Sequence, residues 1–401
     1  MSTTSSHPAP TGAEPAAADE PLVSVVIPCL NEAANIEECV LKALAVLAEH
    51  ALSGEVIVAD NASEDGSGEL AEAAGARVVH EPRRGYGSAY LAGFGAARGK
   101  YIVMGDADLT YDFGEIPNFL RELEAGADLV MGDRMDQIQP GAMPWLHRYV
   151  GNPILSGTLN FFFRTGVRDA HCGMRAVRRS TLPRLDLHAT GMEFASEMVV
   201  RAAKERLDIR QFPIEYHPRG GDSKLSTWRD GWRHLRFLLV HSPTHLFIVP
   251  AAVMLAVGAL IMLTVLARVE ILGRQWDVHT MLAGALLAIV GTQTAGLGLC
   301  AHAYGTYYLG EKDPWFDRMR RRYRLEHGLL LGAAVGVVGL AFAAVVVGTW
   351  VDRGFGELSE VRLAILAATL IVIGIQIFFS SFLISIIGLR RSVRLSPRAP
   401  A

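Results

Sequence analysis

Two aspartates stand two positions apart, Asp106 and Asp108, in the stretch GDADLTYDF that follows the apolar run YIVM at 101–104. In an extended segment that spacing puts both side chains on one face. Two hard carboxylates side by side can hold Mg2+ or Mn2+ against a diphosphate. An isolated DAD is a weak signal, because solvated strand ends and helix caps produce the same triplet. Its weight depends on what the rest of the chain brings to the same place.

Residues 22–132 alternate apolar runs, at 22–27, 56–59, 77–79, 101–104 and 129–131, with helical stretches. Ile36, Val40, Leu44 and Leu47 form one stripe of a helix over 33–50, and 88–97 reads as another. This alternation predicts an α/β domain with a parallel sheet and right-handed crossovers. Ligands of such sheets sit beyond the carboxyl ends of the strands. Those ends carry, in order, Asn31 and Glu32, Asp60 and Asn61, the loop 80–87, Asp106 and Asp108, and Asp133 and Arg134. Polar chemistry at five ends of one edge favours a site over a merely solvated surface. Arg83 and Arg84 precede Gly85 and Gly87, with Gly93 and Gly95 beyond. The glycines permit close backbone approach, and a helix start near Ser88 favours an anion. Turn chemistry explains that run nearly as well, and GYG is not a dinucleotide fingerprint.

The chain of 401 residues is 50% hydrophobic with a net charge of −3, which leaves no overall basic field for nucleic acid. It carries no nucleic-acid motif, so an anionic partner must be met by local clusters. Cys29, Cys39, Cys172 and Cys300 have neither the spacing of a zinc site nor the density of a disulfide framework, which predicts a reduced, cytosol-facing domain. Residues 1–20 are rich in Ala, Pro, Ser and Thr and lack Lys and Arg, reading as a disordered tail rather than a signal peptide. Four apolar segments, at 244–267, 280–303, 328–350 and 363–389, are long enough to cross about 30 Å of hydrocarbon. The loop 304–327 carries Lys312, Arg318, Arg320, Arg321, Arg322 and Arg324, and the tail carries Arg390, Arg391, Arg394 and Arg398. The other two loops are mixed in sign, so both termini and the domain should be cytoplasmic. Ahead of the first span, Trp228, Trp232, Leu235 and Leu239 recur every three or four residues among Arg229, Arg233 and Arg236. That is the pattern of an amphipathic helix at a bilayer surface, the alternative being a surface helix packed on its own domain.

The stretches SVVIPCLNEAANI, EVIVADNASEDGS, GYGSAYLAGFGAARGKYIVMGDADLTYDF and EYHPRGGDSKLS together resemble the family 2 glycosyltransferases. Among these they look like the polyprenyl-phosphate sugar synthases related to dolichyl-phosphate mannose and glucose synthases. The resemblance implies a Rossmann-like nucleotide-diphosphosugar transferase (GT-A) domain with a mostly parallel sheet over 21–225. An interfacial helix at 226–243, a four-helix transmembrane region at 244–389 and a basic cytoplasmic tail at 390–401 would follow. Pro28, Asn31, Glu32, Asp60, Asn61, Gly85 and Asp106 would surround the nucleotide sugar, with Asp60 at the base. Asp106 and Asp108 would handle the metal and diphosphate. Arg134, Arg148 and Arg219, assisted by Lys224, would gather round the acceptor phosphate, and Asp106, Asp108, Arg134 and Arg219 would carry catalysis. Two positions depart from the pattern. Asn61 stands where many relatives have a second acidic residue, and Thr110 stands where mannose-type relatives often carry Gln. In DAHCGMR, which resembles a family segment near the active site, His171 reads as a loop hydrogen-bonder and Cys172 as a small buried group. Glu193 and Glu197 read as a first-turn charge and a scaffold contact.

These residues would support inverting, metal-dependent transfer of one sugar from a UDP- or GDP-sugar to a polyprenyl phosphate, beside the bilayer that holds the lipid. A divalent cation would neutralise the leaving diphosphate. The attacking phosphate is already largely anionic at pH 7, so the need is for guanidinium groups that bring two anions together rather than for a base. Two alternatives stay open. A transferase acting on a hydroxyl wants a carboxylate base, for which Glu193 is the candidate. A non-catalytic scaffold or lipid translocator would use the four helices alone. The sugar, the base and whether the chain forms a homo-oligomer are not legible.

Overall fold

The computed structural model describes residues 20–220, 227–271, 274–308, 314–322, 324–355 and 360–389. The chain divides into two compact units, 1–238 and 239–401. The expected tail at 1–20, apart from Glu20, and the basic tail at 390–401 lie outside the described residues.

In the first unit the elements run β1 (Val23–Cys29), α1 (Ile36–Glu49), β2 (Gly54–Asp60), α2 (Ser67–Ala73), β3 (Arg77–His80), α3 (Tyr86–Ala96), β4 (Tyr101–Met104), α4 (Ile116–Glu124) and β5 (Leu129–Asp133). There follow α5 (Asn152–Phe163), β6 (Arg175–Arg178), α6 (Leu182–Leu185), α7 (Phe194–Lys204), β7 (Ile209–Pro213) and α8 (Thr227–Val240). A seven-stranded sheet has the order β3-β2-β1-β4-β6-β5-β7. All pairings are parallel except those of β6, which lies antiparallel between β4 and β5. The sheet is therefore mostly parallel, as expected. The strands β6 and β7 are additions that the apolar runs do not announce.

Alternation along β1 builds two cores. Val25 and Ile27 join the buried stripes of α1 and α4 on one face, and Val26 joins Tyr90 and Phe94 of α3 and Phe194 and Met198 of α7 on the other. Because β2 and β3 stack outward from one side of β1 and β4 from the other, the strand order reverses between β1 and β4. A crevice opens at such a point, beyond the carboxyl ends. Cys29 and Met104 end the two strands there, just ahead of Asn31 and of Asp106.

The helix α8 packs one face on its own domain. His234 and Leu238, four apart, are buried in the domain, whereas Trp232 is 59% exposed. The second unit contains α9 (Val249–Leu266), α10 (Val278–Tyr308), α11 (Pro314–Arg322), α12 (Leu325–Asp352) and α13 (Val361–Leu389). Four of its helices are long and apolar enough to cross a membrane: Thr244–Leu266, Val278–Tyr308, Leu325–Asp352 and Val361–Gly388. Small residues set their spacing. A Cβ on Gly258 of α9 would stand 2.7 Å from the Gly284 carbonyl of α10, and one on Gly374 of α13 would stand 2.6 Å from the Gly336 amide of α12. Backbones that approach so closely pack by dispersion, which is what drives helix association where lipid removes the hydrophobic effect.

Candidate functional site

Asp106 and Asp108 both follow β4 at the reversal of strand order, near enough for the Asp108 charge to act on Asp106, but strand alternation does not place them there. The strand β4 ends at Met104, and residues 106–109 form a turn closed by Leu109 at φ 60°. The turn, rather than an extended period of two, sets how the two residues are placed relative to each other. Asp106 Oδ1 accepts the hydroxyls of Tyr86 at 3.1 Å and Tyr90 at 3.3 Å, both from α3. Burial and the neighbouring Asp108 charge push its carboxyl up to about 7, against those hydrogen bonds. Asp108 is held differently. Its Oδ1 accepts the Thr110 hydroxyl at 2.6 Å and the Thr110 amide at 3.2 Å, and its Oδ2 lies 3.2 Å from Arg219 Nη1.

Arg219 spans two carboxylates, since its Nη2 donates to Glu32 Oε1 at 2.8 Å. Its Nε is buried with no partner among the described residues. Asn35, at the start of α1, holds the next residue by donating to the Gly220 carbonyl at 2.5 Å instead of capping its own helix. Asn31, at φ 53°, accepts the Glu64 amide at 2.8 Å, and its own amide donates to Ser63 Oγ at 3.0 Å, so the loops after β1 and β2 are tied together. Pro28 lies within β1, opposite Ala59 of β2.

At the end of β2, Asp60 accepts the Ser63 amide at 3.2 Å and lies 3.1 Å from His80 Nδ1. The Asn61 side chain is engaged at both its donor and its acceptor end. It donates to the carbonyls of Glu81 at 2.9 Å and Arg83 at 2.8 Å and accepts the Gly85 amide at 2.6 Å. A carboxylate could not make the first two bonds, which gives the departure at this position a structural reason. Asn61→Asp is expected to leave two carbonyls facing a charge and to lower stability by about 2–3 kcal/mol. Thermal unfolding followed by tryptophan fluorescence would read the loss, and an unchanged midpoint would refute it. Gly85, at φ 154°, and Gly87 make their close approach to their own chain, because a Cβ on either would run into the carbonyls of Thr190 and Ala189. The Ser88 amide donates to Thr190 O at 3.1 Å, and Arg83 and Arg84 pair with Glu81 and Glu64. The anion cradle read from this run is thus largely occupied by the protein itself.

Arg134 follows β5 and is buried with Asp169, their side chains being 7% and 0% exposed. Nε and Nη2 donate to the two carboxylate oxygens at 2.6 and 2.9 Å, Nη1 donates to the Tyr111 oxygen at 3.3 Å, and the guanidinium lies 4.9 Å over the Tyr216 ring. Burial would raise the Asp169 carboxyl, but the Arg134 charge and its hydrogen bonds outweigh it and hold it below its usual range. The neighbouring residues pair in the opposite sense, Arg168 Nη1 lying 3.1 Å from Asp133 Oδ2. Arg148 sits in a π-helical turn, His147–Gly151, 5.4 Å over the Tyr149 ring, and forms no ion pair among the described residues. Lys224 lies outside the described residues.

His171 does hydrogen-bond, its Nε2 lying 3.2 Å from Ser196 Oγ, and Cys172 is fully buried. Glu197 accepts the amides of His188 and Ala189, a scaffold contact, and Glu193 lies 3.3 Å from the Gly191 amide. Tyr86, Tyr90 and Tyr111 were not singled out by sequence reasoning. The spacing of the first two, four apart on a helix that starts at the sheet edge, was the available signal.

Among the described residues no group of three or more His, Cys, Asp or Glu side chains is arranged to hold a metal ion. The pair Asp106 and Asp108 fits a divalent cation that shares its shell with a diphosphate and water, the usual way Mg2+ is bound. A cation there would offset the Asp108 charge, which after burial is the second cause of the raised Asp106 carboxyl.

Residues 24–185 match the family described as Glycosyl transferase family 2, and residues 299–388 match the Glycosyltransferase family 2 C-terminal transmembrane region. The chain is 42% identical over 370 residues to the low-salt glycan biosynthesis hexosyltransferase Agl6 of Haloferax volcanii, covering 92% of this chain and 89% of that one. It is 36% identical over 180 residues to a dolichyl-phosphate hexose transferase of the same organism, covering 44% and 76%. A crystal structure of glucosyl-3-phosphoglycerate synthase from Mycobacterium tuberculosis, in complex with Mn2+, uridine diphosphate and glucosyl-3-phosphoglycerate, is similar over 57% of this chain and 86% of that one, at 23% identity and a TM-score of 0.45.

Proposed function

This chain belongs to glycosyl transferase family 2, and from that premise we propose that it moves one hexose from a UDP- or GDP-linked donor onto the phosphate of a polyprenyl phosphate. It is an integral membrane protein, and the transfer would take place at the cytoplasmic face of the membrane its long helices cross. The observation that carries the reading is the turn at Asp106 and Asp108, set at the reversal of strand order, with a guanidinium already on one of its carboxylates. The relatives named for hexosyl transfer and for dolichyl phosphate support the hexose and the lipid acceptor.

In this mechanism Mg2+ or Mn2+ at Asp106 and Asp108 would neutralise the charge that develops on the leaving diphosphate. Tyr86 and Tyr90 fix the Asp106 rotamer, and Thr110 fixes that of Asp108. Asp60, with Pro28, Asn31, Glu32, Asn61 and Gly85 around it, would frame the nucleotide. Arg134, oriented by Asp169, would act with Arg148, Arg219 and Lys224 to hold the acceptor phosphate in line with the anomeric carbon. That phosphate carries its own negative charge, so no side chain has to take its proton, and one displacement inverts the anomeric centre.

Asp106 must lose its proton to hold a cation. With its carboxyl at about 7, Mn2+ affinity is expected to climb about tenfold per pH unit below neutrality and to level off above it. Electron paramagnetic titration of Mn2+ would show this, and a flat profile would contradict it. The function itself is tested by incubating the purified protein with a panel of UDP- and GDP-sugars and polyprenyl phosphate. Label entering a single-sugar lipid supports the proposal. Label entering long polymer favours a hydroxyl acceptor, and donor binding without turnover across the panel favours a scaffold.

A further inference from the structure

The two oxygens of Asp108 have different duties. Oδ1 is taken by the hydroxyl and amide of Thr110, so a cation approaching this carboxylate must come to Oδ2. Oδ2 is also the oxygen that Arg219 Nη1 holds at 3.2 Å. A guanidinium and a divalent cation cannot share one oxygen face at contact distance without strong repulsion. Arg219 has a second anchor that does not depend on Asp108, the 2.8 Å bond from Nη2 to Glu32 Oε1. Its backbone neighbour Gly220 is pinned as well, its amide donating to the Asp108 carbonyl at 3.0 Å and its carbonyl accepting from Asn35. The side chain can therefore let go of Asp108 without the segment leaving the crevice. The buried Nε, unpartnered among the described residues, is a donor already waiting for an anion.

Resting on the reading of Asp106 and Asp108 as the metal and diphosphate site, we propose that Arg219 is an acceptor-binding residue with two positions: it holds Asp108 in place of the divalent cation and turns to the acceptor phosphate when cation and donor bind. Glu32 is the pivot in both positions. The two substrates are thereby coupled. Cation binding frees the guanidinium that the acceptor needs, and an acceptor that captures the guanidinium clears Asp108 for the cation. Linkage requires the coupling to be equal in both directions.

The test uses the full-length protein in detergent, with Mn2+ binding read by electron paramagnetic titration and farnesyl phosphate as the acceptor probe. Arg219→Gln is expected to bind Mn2+ about tenfold more tightly than the wild type, a gain that damage to the site would not produce. In the wild type, Mn2+ with UDP is expected to tighten farnesyl phosphate binding at least about fivefold, and in Arg219→Gln that enhancement should disappear. Arg219→Lys, which keeps the charge, should restore the weaker Mn2+ binding and part of the coupling. Asp108→Asn separates the two levels of the argument. If it leaves Mn2+ affinity unchanged, the metal site and the Arg219 proposal both fall. If it weakens Mn2+ while Arg219→Gln binds Mn2+ no tighter than wild type, or keeps the coupling, the Arg219 proposal alone is overturned.

Discussion

Asp108→Asn is expected to lower the rate of hexose transfer by about a hundred- to a thousandfold while leaving the thermal midpoint close to that of the wild type. The substitution is chosen for what it keeps. An amide oxygen at the Oδ1 position can still accept the Thr110 hydroxyl and amide, now at 2.6 and 3.2 Å, so the turn after β4 should survive. At the Oδ2 position it presents an NH2 group, which repels both Arg219 and a cation. Loss of rate with retained stability thus reports the chemistry of that one oxygen. Transfer at the wild-type rate would show that Asp108 holds no cation, and a collapse in stability would show that its role is architectural.

The second large effect concerns Asp169. Removing one member of a buried ion pair strands the other charge, a cost of about 3–5 kcal/mol. Asp169→Asn leaves Arg134, 6% exposed as a residue, without the carboxylate that receives two of its side-chain donors. Thermal unfolding of the variant should therefore begin well below that of the wild type. The double variant Asp169→Leu with Arg134→Met should recover much of the loss, because apolar groups of similar volume leave no uncompensated charge. Transfer should stay low in both, since neither presents an oriented guanidinium. The pH dependence has a definite sign. A carboxyl held below its usual range by Arg134 contributes stability above the ordinary acid range and loses it only as pH falls through its depressed native value. Mild acidification to about pH 5 should leave this pair intact. A single variant as stable as the wild type would contradict the account of Arg134.

The strands β1, β2 and β4 were legible because they contain apolar runs bounded by turn residues. The segment 101–104 was read residue for residue, and β1 and β2 differ from the reading by one or two residues at each end. The strand β6 was not legible. Its four residues begin and end in arginine, and Arg175 is buried only because the carbonyls of Ala170, Cys172 and Ala195 each accept from it. No period of two can show that. The residue types of the site were readable as polar strand ends, yet the pairings were not. Arg134 meets Asp169 across 35 positions and Arg219 meets Glu32 across 187. Distance in sequence carries no trace of such contacts. Asn61 taught the converse lesson: the residue is at the expected edge, but its amide ties the loop 81–85 and leaves little capacity for a ligand.

The most direct measurement is of the bond made. Wild-type protein supplied with a hexose nucleotide, polyprenyl phosphate and Mn2+ is expected to yield a lipid whose phosphorus resonance has moved from monoester to diester and whose mass has risen by one hexose, with no such product in excess chelator. A product formed equally well in chelator, or a hexose attached to a hydroxyl with the lipid phosphate still a monoester, would contradict the account.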